Sequence, residues 1–190
     1  MPRAGLTHDV VVGEAARLID ERGLEGLSLA VLAESLGVKV PSLYKHVEGL
    51  PALRRAVMLA GKESFRDALA NAAVGRSGAE AITAISLAYR AWALEHPGQY
   101  PMTMHAPIPG DQRDATISTA LVDVVYRVLA AYGLEGDDAV DAVRFLRASL
   151  HGFVALETSG GFALPVDLDR SYRRLVDSVV TALSTWKAGR

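Results

Sequence analysis

Apolar residues recur every three or four positions along almost the whole chain, and no set of alternating Val, Ile, Thr and aromatic runs interrupts them. That period suits helices and leaves no material for a sheet, because a strand turns its side chains over every two residues. The expectation is an all-α protein. A first helix is expected over about residues 7–22, with Val11, Ala15, Leu18 and Ile19 on one face and Gly23 as a left-handed stop. Ser28 can cap a second through about residue 36, and Gly37 ends it. Pro41, at home in a first helical turn, opens a third that finishes near Val47. Longer helices are expected over about 50–74, 79–95, 111–132, 137–158 and 167–186, with a break at His96-Pro97-Gly98, a short helical turn and a Pro-rich loop over 106–110. The last helix carries Leu168, Tyr172, Leu175, Val179, Leu183 and Trp186 at spacings of three and four.

The 190 residues suffice to bury about 70% of the unfolded surface, so no covalent staple is needed. Half are hydrophobic, and 20 Lys+Arg against 22 Asp+Glu leave a formal charge of -2, which excludes a disordered polyampholyte and a strongly basic protein. With no cysteine there is no disulfide framework, thiolate metal site or Cys nucleophile, and a cytoplasmic location fits. Proline and charged residues are expected to interrupt every apolar stretch before about 18 residues, so no membrane partner is expected. Residues 1–12 hold His8 and Asp9 and no small-residue cleavage site, and read as no signal peptide.

The most specific segment is 28–47, SLAVLAESLGVKVPSLYKHV. Two short helices crossing steeply need a small residue at the crossing, which Ala33 supplies. Gly37, four residues on, gives the positive φ of the turn, and Leu43, six further, returns to the core beside Leu32 and Val38. That is helix-turn-helix spacing. With Leu43 and Val47 inward, Lys39, Pro41, Ser42 and Lys45 point outward, with Tyr44 and His46 at the flanks. Lysines and a histidine can neutralise phosphates, while Ser42, Pro41 and an exposed Val40 can meet base edges or a thymine methyl. The same residues also suit a solvated hairpin in an ordinary bundle, where Lys39 and Lys45 only aid solubility and Tyr44 only packs.

Residues 11–60, above all GLEGLSLAVLAESLGVKVPSLYKHVEGLPAL, resemble the DNA-binding domain of TetR-type transcriptional repressors. The resemblance implies that the third helix enters the major groove. It gives base-edge or groove contact to Val40, Pro41 and Ser42, and phosphate contact to Ser28, Lys39, Tyr44, Lys45 and His46. Two departures stand out. Leu50 occupies the place where the family usually has a phosphate-gripping Lys, leaving Arg54 or Arg55 to substitute one turn later. Residues 1–66 hold nine Lys+Arg against eight Asp+Glu, so a shallow salt dependence is expected.

The resemblance also implies a homodimer through the last two helices. Val140, Val143, Leu150 and Val154 on one and Leu175, Val179 and Leu183 on the other are the candidates, although periodicity alone does not separate pairing from packing within a subunit. Trp92 with His151-Gly152 resembles a C-terminal domain of Trp-His-Gly signature found in part of the family. In that case Gly152 permits close helix approach, and His151 lies buried near Trp92, Tyr126 or Phe145, as a satisfied core histidine or as a polar anchor for a ligand. Tyr89, Trp92, His96, Tyr100, Met102, Met104 and His105 crowd a segment broken by Pro97, Gly98, Pro101 and Pro107, which suits an adaptable apolar cavity and equally a plain core. The candidate effector-binding set is Tyr89, Trp92, Tyr100, Met102, Met104, Tyr126, Phe145 and His151.

Enzymatic signals are poor. His8, His46, His96, His105 and His151 include no i, i+4 pair, no Gly-rich phosphate loop follows a strand, and Ser149 and His151 face different directions on one helix. No metal or cofactor is expected. The reading is a helix-turn-helix domain over 1–50 joined through the fourth helix to a helical effector-binding and dimerisation domain over 51–190. Its function is that of a repressor released from a double-stranded DNA operator by a small-molecule effector. The competing reading is a helical ligand-binding or enzymatic protein whose N-terminal hairpin is only scaffold.

Overall fold

A computed structural model describes residues 5–186, so the reading of residues 1–12 as free of a leader lies partly outside the described residues. Among them there are helices and connecting turns and no strand, as the periodicity predicts. The elements are α1 (His8–Arg22), α2 (Leu29–Leu36), α3 (Val40–Leu43), α4 (Leu50–Ala73), α5 (Gly78–Glu95), α6 (Tyr100–Thr103), α7 (Gln112–Leu129), α8 (Gly136–Thr158) and α9 (Leu168–Thr185). Two short 3-10 turns, Leu24–Gly26 and Ala130–Tyr132, were not anticipated. α3 is also shorter than expected, ending at Leu43 and continuing as a turn toward Val47.

The chain divides into two compact units, one comprising residues up to Glu63 with His96–Asp114, the other Ser64–Glu95 with Ala115 onward. A single cut at residue 50 therefore does not describe the packing. The first half of α4 buries Leu53 and Val57 in the same core as α1–α3, and Met102, beyond the Pro97-Gly98 break, packs on that core too.

In the first unit, Val11, Ala15, Leu18 and Ile19 of α1 meet Leu32 and Ala33 of α2 and Leu43 and Val47 around α3. Thr7 caps α1, its hydroxyl accepting the Val10 N–H at 3.2 Å, and Asp167 in the second unit caps α9 through the Asp169 and Arg170 N–H groups. The 96–99 segment docks on α1 through one carboxylate: Asp20 accepts the backbone N–H of Gly98 (3.0 Å) and of Gln99 (2.9 Å) and the Gln99 side-chain amide (2.5 Å), with the His96 ring 3.1 Å away. Further along, Lys62 of α4 forms a fully buried pair with Asp114 of α7 at 2.6 Å, and Asp114 also accepts the Ile108 N–H.

In the second unit, Ile82 and Ile85 of α5, Leu146, Leu150 and Val154 of α8, and Tyr172, Val176, Val179 and Leu183 of α9 are buried. Phe65 sits against both Tyr89 (5.0 Å between ring centroids) and Trp92 (4.9 Å). Arg90 binds Glu157 of α8 through two guanidinium nitrogens and Asp169 of α9 through a third, and lies over the Tyr172 ring, whose hydroxyl donates to the Ser86 carbonyl at 2.6 Å. Burial first, then the Tyr89 hydroxyl nearby, holds the Tyr172 phenol well above its ordinary range.

Asp123 and Arg127 interrupt the apolar stretch of α7, as expected. Gln112–Tyr132 is long and apolar enough by length and composition to cross a membrane, its 18-residue apolar window having a mean hydropathy of 1.3. α7 nonetheless has the two-faced pattern of a helix on a protein core, with Ile117, Val124, Val128 and Leu129 buried and Asp123 and Arg127 exposed.

Candidate nucleic-acid interface

Local chemistry sets the α2–α3 hairpin. The Ser28 hydroxyl accepts the Val31 N–H at 3.2 Å and starts α2. Gly37 takes the left-handed conformation (φ 65°, ψ 33°), and the Val38 N–H returns to the Ala33 carbonyl at 2.9 Å. That left-handed residue is where a side chain would add strain. Lys39 is extended, Pro41 lies in the first turn of α3, and Leu43 and Val47 are buried. Anchored so, the opposite face carries Lys39, Pro41, Tyr44 and Lys45 to the surface, and Tyr44 is 58% exposed. Ser28, Ser42 and His46 are half-buried beside them. Val40, expected to be exposed, is half-buried and packs on the α1–α4 core, so only part of its side chain is available to a partner.

Most other cations of this unit are already engaged. Arg17 is bound to Glu14 at 2.6 Å and to Glu21, and Ser35 of α2 also bonds Glu14. The Arg17 hydrogen bonds hold the Glu14 carboxyl below its ordinary range despite partial burial. Arg54 donates to the Leu24 carbonyl at 3.2 Å, Arg55 makes a bidentate pair with Asp111 (2.5 and 2.7 Å), and Lys62 is buried with Asp114. Of the two arginines read from the sequence as substitutes for a phosphate-gripping Lys at position 50, Arg54 is thus turned to the Leu24 backbone, and Arg55 stays exposed but paired with Asp111. Lys39 and Lys45 form no ion pair among the described residues, so uncompensated positive charge flanks α3.

The comparisons with known proteins agree with this geometry. Residues 12–46 match the model for bacterial regulatory proteins of the tetR family, and residues 82–179, about half of the chain, match that for a tetracyclin repressor-like C-terminal domain. The chain belongs to the TetR family. It is 34% identical over 171 residues to an uncharacterised helix-turn-helix transcriptional regulator of Bacillus subtilis, covering 88% of this chain and 87% of the relative. It is 37% identical over 158 residues to another such regulator of Mycobacterium tuberculosis, covering 83% of this chain and 72% of the relative. Its fold is shared with a TetR variant of Acinetobacter baumannii in complex with minocycline, at a TM-score of 0.73 and 20% identity, covering 97% of this chain and all of the other.

In this TetR-family chain the eight candidate effector residues divide between the two units. Tyr100 is buried in the first, where Met102 packs on the α1–α4 core and Met104 is half-buried. In the second, Tyr89 and Trp92 are buried against Phe65, and the Trp92 indole N–H donates to Ser64 at 3.0 Å. Phe145 pairs instead with Trp186, 5.4 Å away. Tyr126 and His151 are half-buried, and burial, aided by repulsion from Arg147, lowers the His151 pKa from its ordinary value. A Cβ on Gly152 would meet nothing within 4 Å, so the close approach expected there is not made inside this chain.

The expected dimer stripe also splits. Leu150, Val154, Val179 and Leu183 are buried within the second unit and cannot meet a second subunit, whereas Val140, Val143 and Leu175 are half-buried. The Asp20 cluster was not legible beforehand beyond the Pro97-Gly98 break, because its partners lie more than 70 positions away along the chain.

Proposed function

We propose that this TetR-family chain represses transcription by binding duplex DNA through α3 and its flanks. Lys39, Tyr44, Lys45, His46 and Ser28 contact phosphates, and Pro41, Ser42 and the accessible part of Val40 lie against base edges. The observation that carries this reading is the exposed Tyr44–Lys45 surface on a hairpin oriented by Gly37 and Leu43, in a unit whose other basic side chains are largely engaged internally. One such helix spans only a few base pairs, so binding uses a homodimer with two α3 copies about 34 Å apart on one face of the duplex. Val140, Val143 and Leu175 of α8 and α9 belong to the pairing face. A small-molecule effector held by the second unit favours a conformer in which α4 has shifted and the two α3 helices no longer match one DNA turn. Release then needs only a difference in affinity between the two shapes. The protein acts in the cytoplasm, as a regulator and not as an enzyme.

The test is to select bound fragments from the host genome, then measure the Tyr44→Ala and Lys45→Ala variants on the recovered site. Both should weaken binding at unchanged helicity and oligomeric state. Unchanged affinity in both, or no specific footprint at all, would favour a hairpin that is only scaffold.

A further inference from the structure

A concave site lies in the second unit. The last turns of α4, the turn into α5 and the end of α7 with the 3-10 turn after it frame an open groove of about 260 Å³, lined by Ala70, Ala73 and Val74 on one side and Val124, Val128 and Ala131 on the other. Three alanines leave the space open, the two α7 valines form a buried floor, and Val74 stands 71% exposed at the rim. The polar lining is Arg76, Arg127 and Ser77, with no carboxylate. The two arginines differ. Arg76 is occupied, donating to the Ala72 carbonyl at 2.9 Å and pairing with Glu80 at 3.4 Å. Arg127 makes no hydrogen bond or ion pair among the described residues, although it lies one helical turn from Asp123.

We propose that this groove binds a small amphiphilic monoanion, its apolar body on Val124, Val128 and the alanines and its head on Arg127. An apolar floor removes hydrocarbon from water, and an unneutralised guanidinium with no competing carboxylate in the lining selects a negative head over a neutral or positive one. The volume lies just below the ~300–1,000 Å³ usual for ligand pockets, which sets the occupant as a short-chain molecule. The groove shares no residue with α3 or with the aromatic cluster at Tyr89 and Trp92; the inference rests on the effector part of the proposed function and deepens it by naming the chemical class that the second unit holds.

The test uses the full-length protein without DNA and octanoate as the probe, with octan-1-ol as its uncharged counterpart, both by calorimetric titration. Octanoate should bind saturably and octan-1-ol at least about tenfold more weakly, the loss of one charge-assisted contact. Arg127→Gln should weaken octanoate about tenfold and leave octan-1-ol unchanged. Ala131→Leu, a substitution at an exposed position that fills the groove, should abolish both, with melting temperature and helicity retained in each variant. Absence of saturable octanoate binding, equal affinity for acid and alcohol, or octanoate affinity unchanged in both variants would overturn the proposal. None of these outcomes bears on the operator experiment, which reads α3.

Discussion

Gly98 lies against the backbone of Ile19, so closely that a Cβ built on it would stand 2.0 Å from the Ile19 carbonyl oxygen. The approach lets the Gly98 and Gln99 N–H groups reach Asp20, and it joins the segment after α5 to the helix that opens the chain. Gly98→Ala should therefore destabilise the protein by about 1–3 kcal/mol, the range for overpacking against atoms that cannot yield. Gly13, exposed in α1 with nothing within 4 Å, provides the control: Gly13→Ala should raise stability by about 0.5–1 kcal/mol through helix propensity. Urea unfolding of both variants separates steric from propensity effects.

The buried Lys62–Asp114 pair predicts strong coupling. Asp114→Ala takes the neutralising carboxylate from a buried ammonium and should cost about 3–5 kcal/mol. Lys62→Met takes the counter-charge from the carboxylate in the same way. The double variant should be well short of the sum, because no unpaired charge then remains. A double-mutant cycle in chemical unfolding gives the figure, and additivity would show that the two charges stabilise the fold independently.

Asp111 predicts a feature of the acid limb. Its bond to Arg55, followed by the Asp114 N–H, depresses its pKa from 3.8 to about 2. A carboxyl lowered on folding contributes stability that is fully present above its unfolded pKa and lost as pH falls through the folded value. Wild type should exceed Asp111→Asn in stability at pH 5, and the two should converge between about pH 4 and pH 2. Denaturation midpoints across that range check it, and a gap that stays constant would mean that Asp111 does not titrate with the fold.

Salt dependence follows from which cations remain unpaired. With Arg17 and Arg55 paired to carboxylates at the surface, Arg54 bound to a backbone carbonyl and Lys62 buried, few phosphates are neutralised per subunit. The log–log slope of operator binding against salt should be much shallower than about -10, and Lys45→Ala should reduce its magnitude by about one per subunit. Fluorescence anisotropy at graded salt measures both, and a slope as steep as -10 would require Arg54 or Arg55 to leave its internal partner.

The reading head was legible because its determinants are local. Ser28, Ala33, Gly37, Pro41 and Leu43 act within a few residues of themselves, through a cap, a crossing, a left-handed turn and a buried anchor, and each took its expected place. The candidate effector set was less legible, since bulky residues at helical spacing look alike whether they fill a core, as Tyr89 and Trp92 do, or face a ligand.

The chain's order of amino acids by itself determined the helices, their stops and the outward face of α3, because propensity, capping and periodicity are properties of neighbouring residues. Tertiary structure alone decided that Arg55 would meet Asp111, that Asp20 would receive the 96–99 segment, and that Leu150 and Val179 would face their own subunit. The reason is physical: a guanidinium or a leucine has the same intrinsic chemistry everywhere. Its partner is set by which distant helices bury enough apolar surface to hold one another in place.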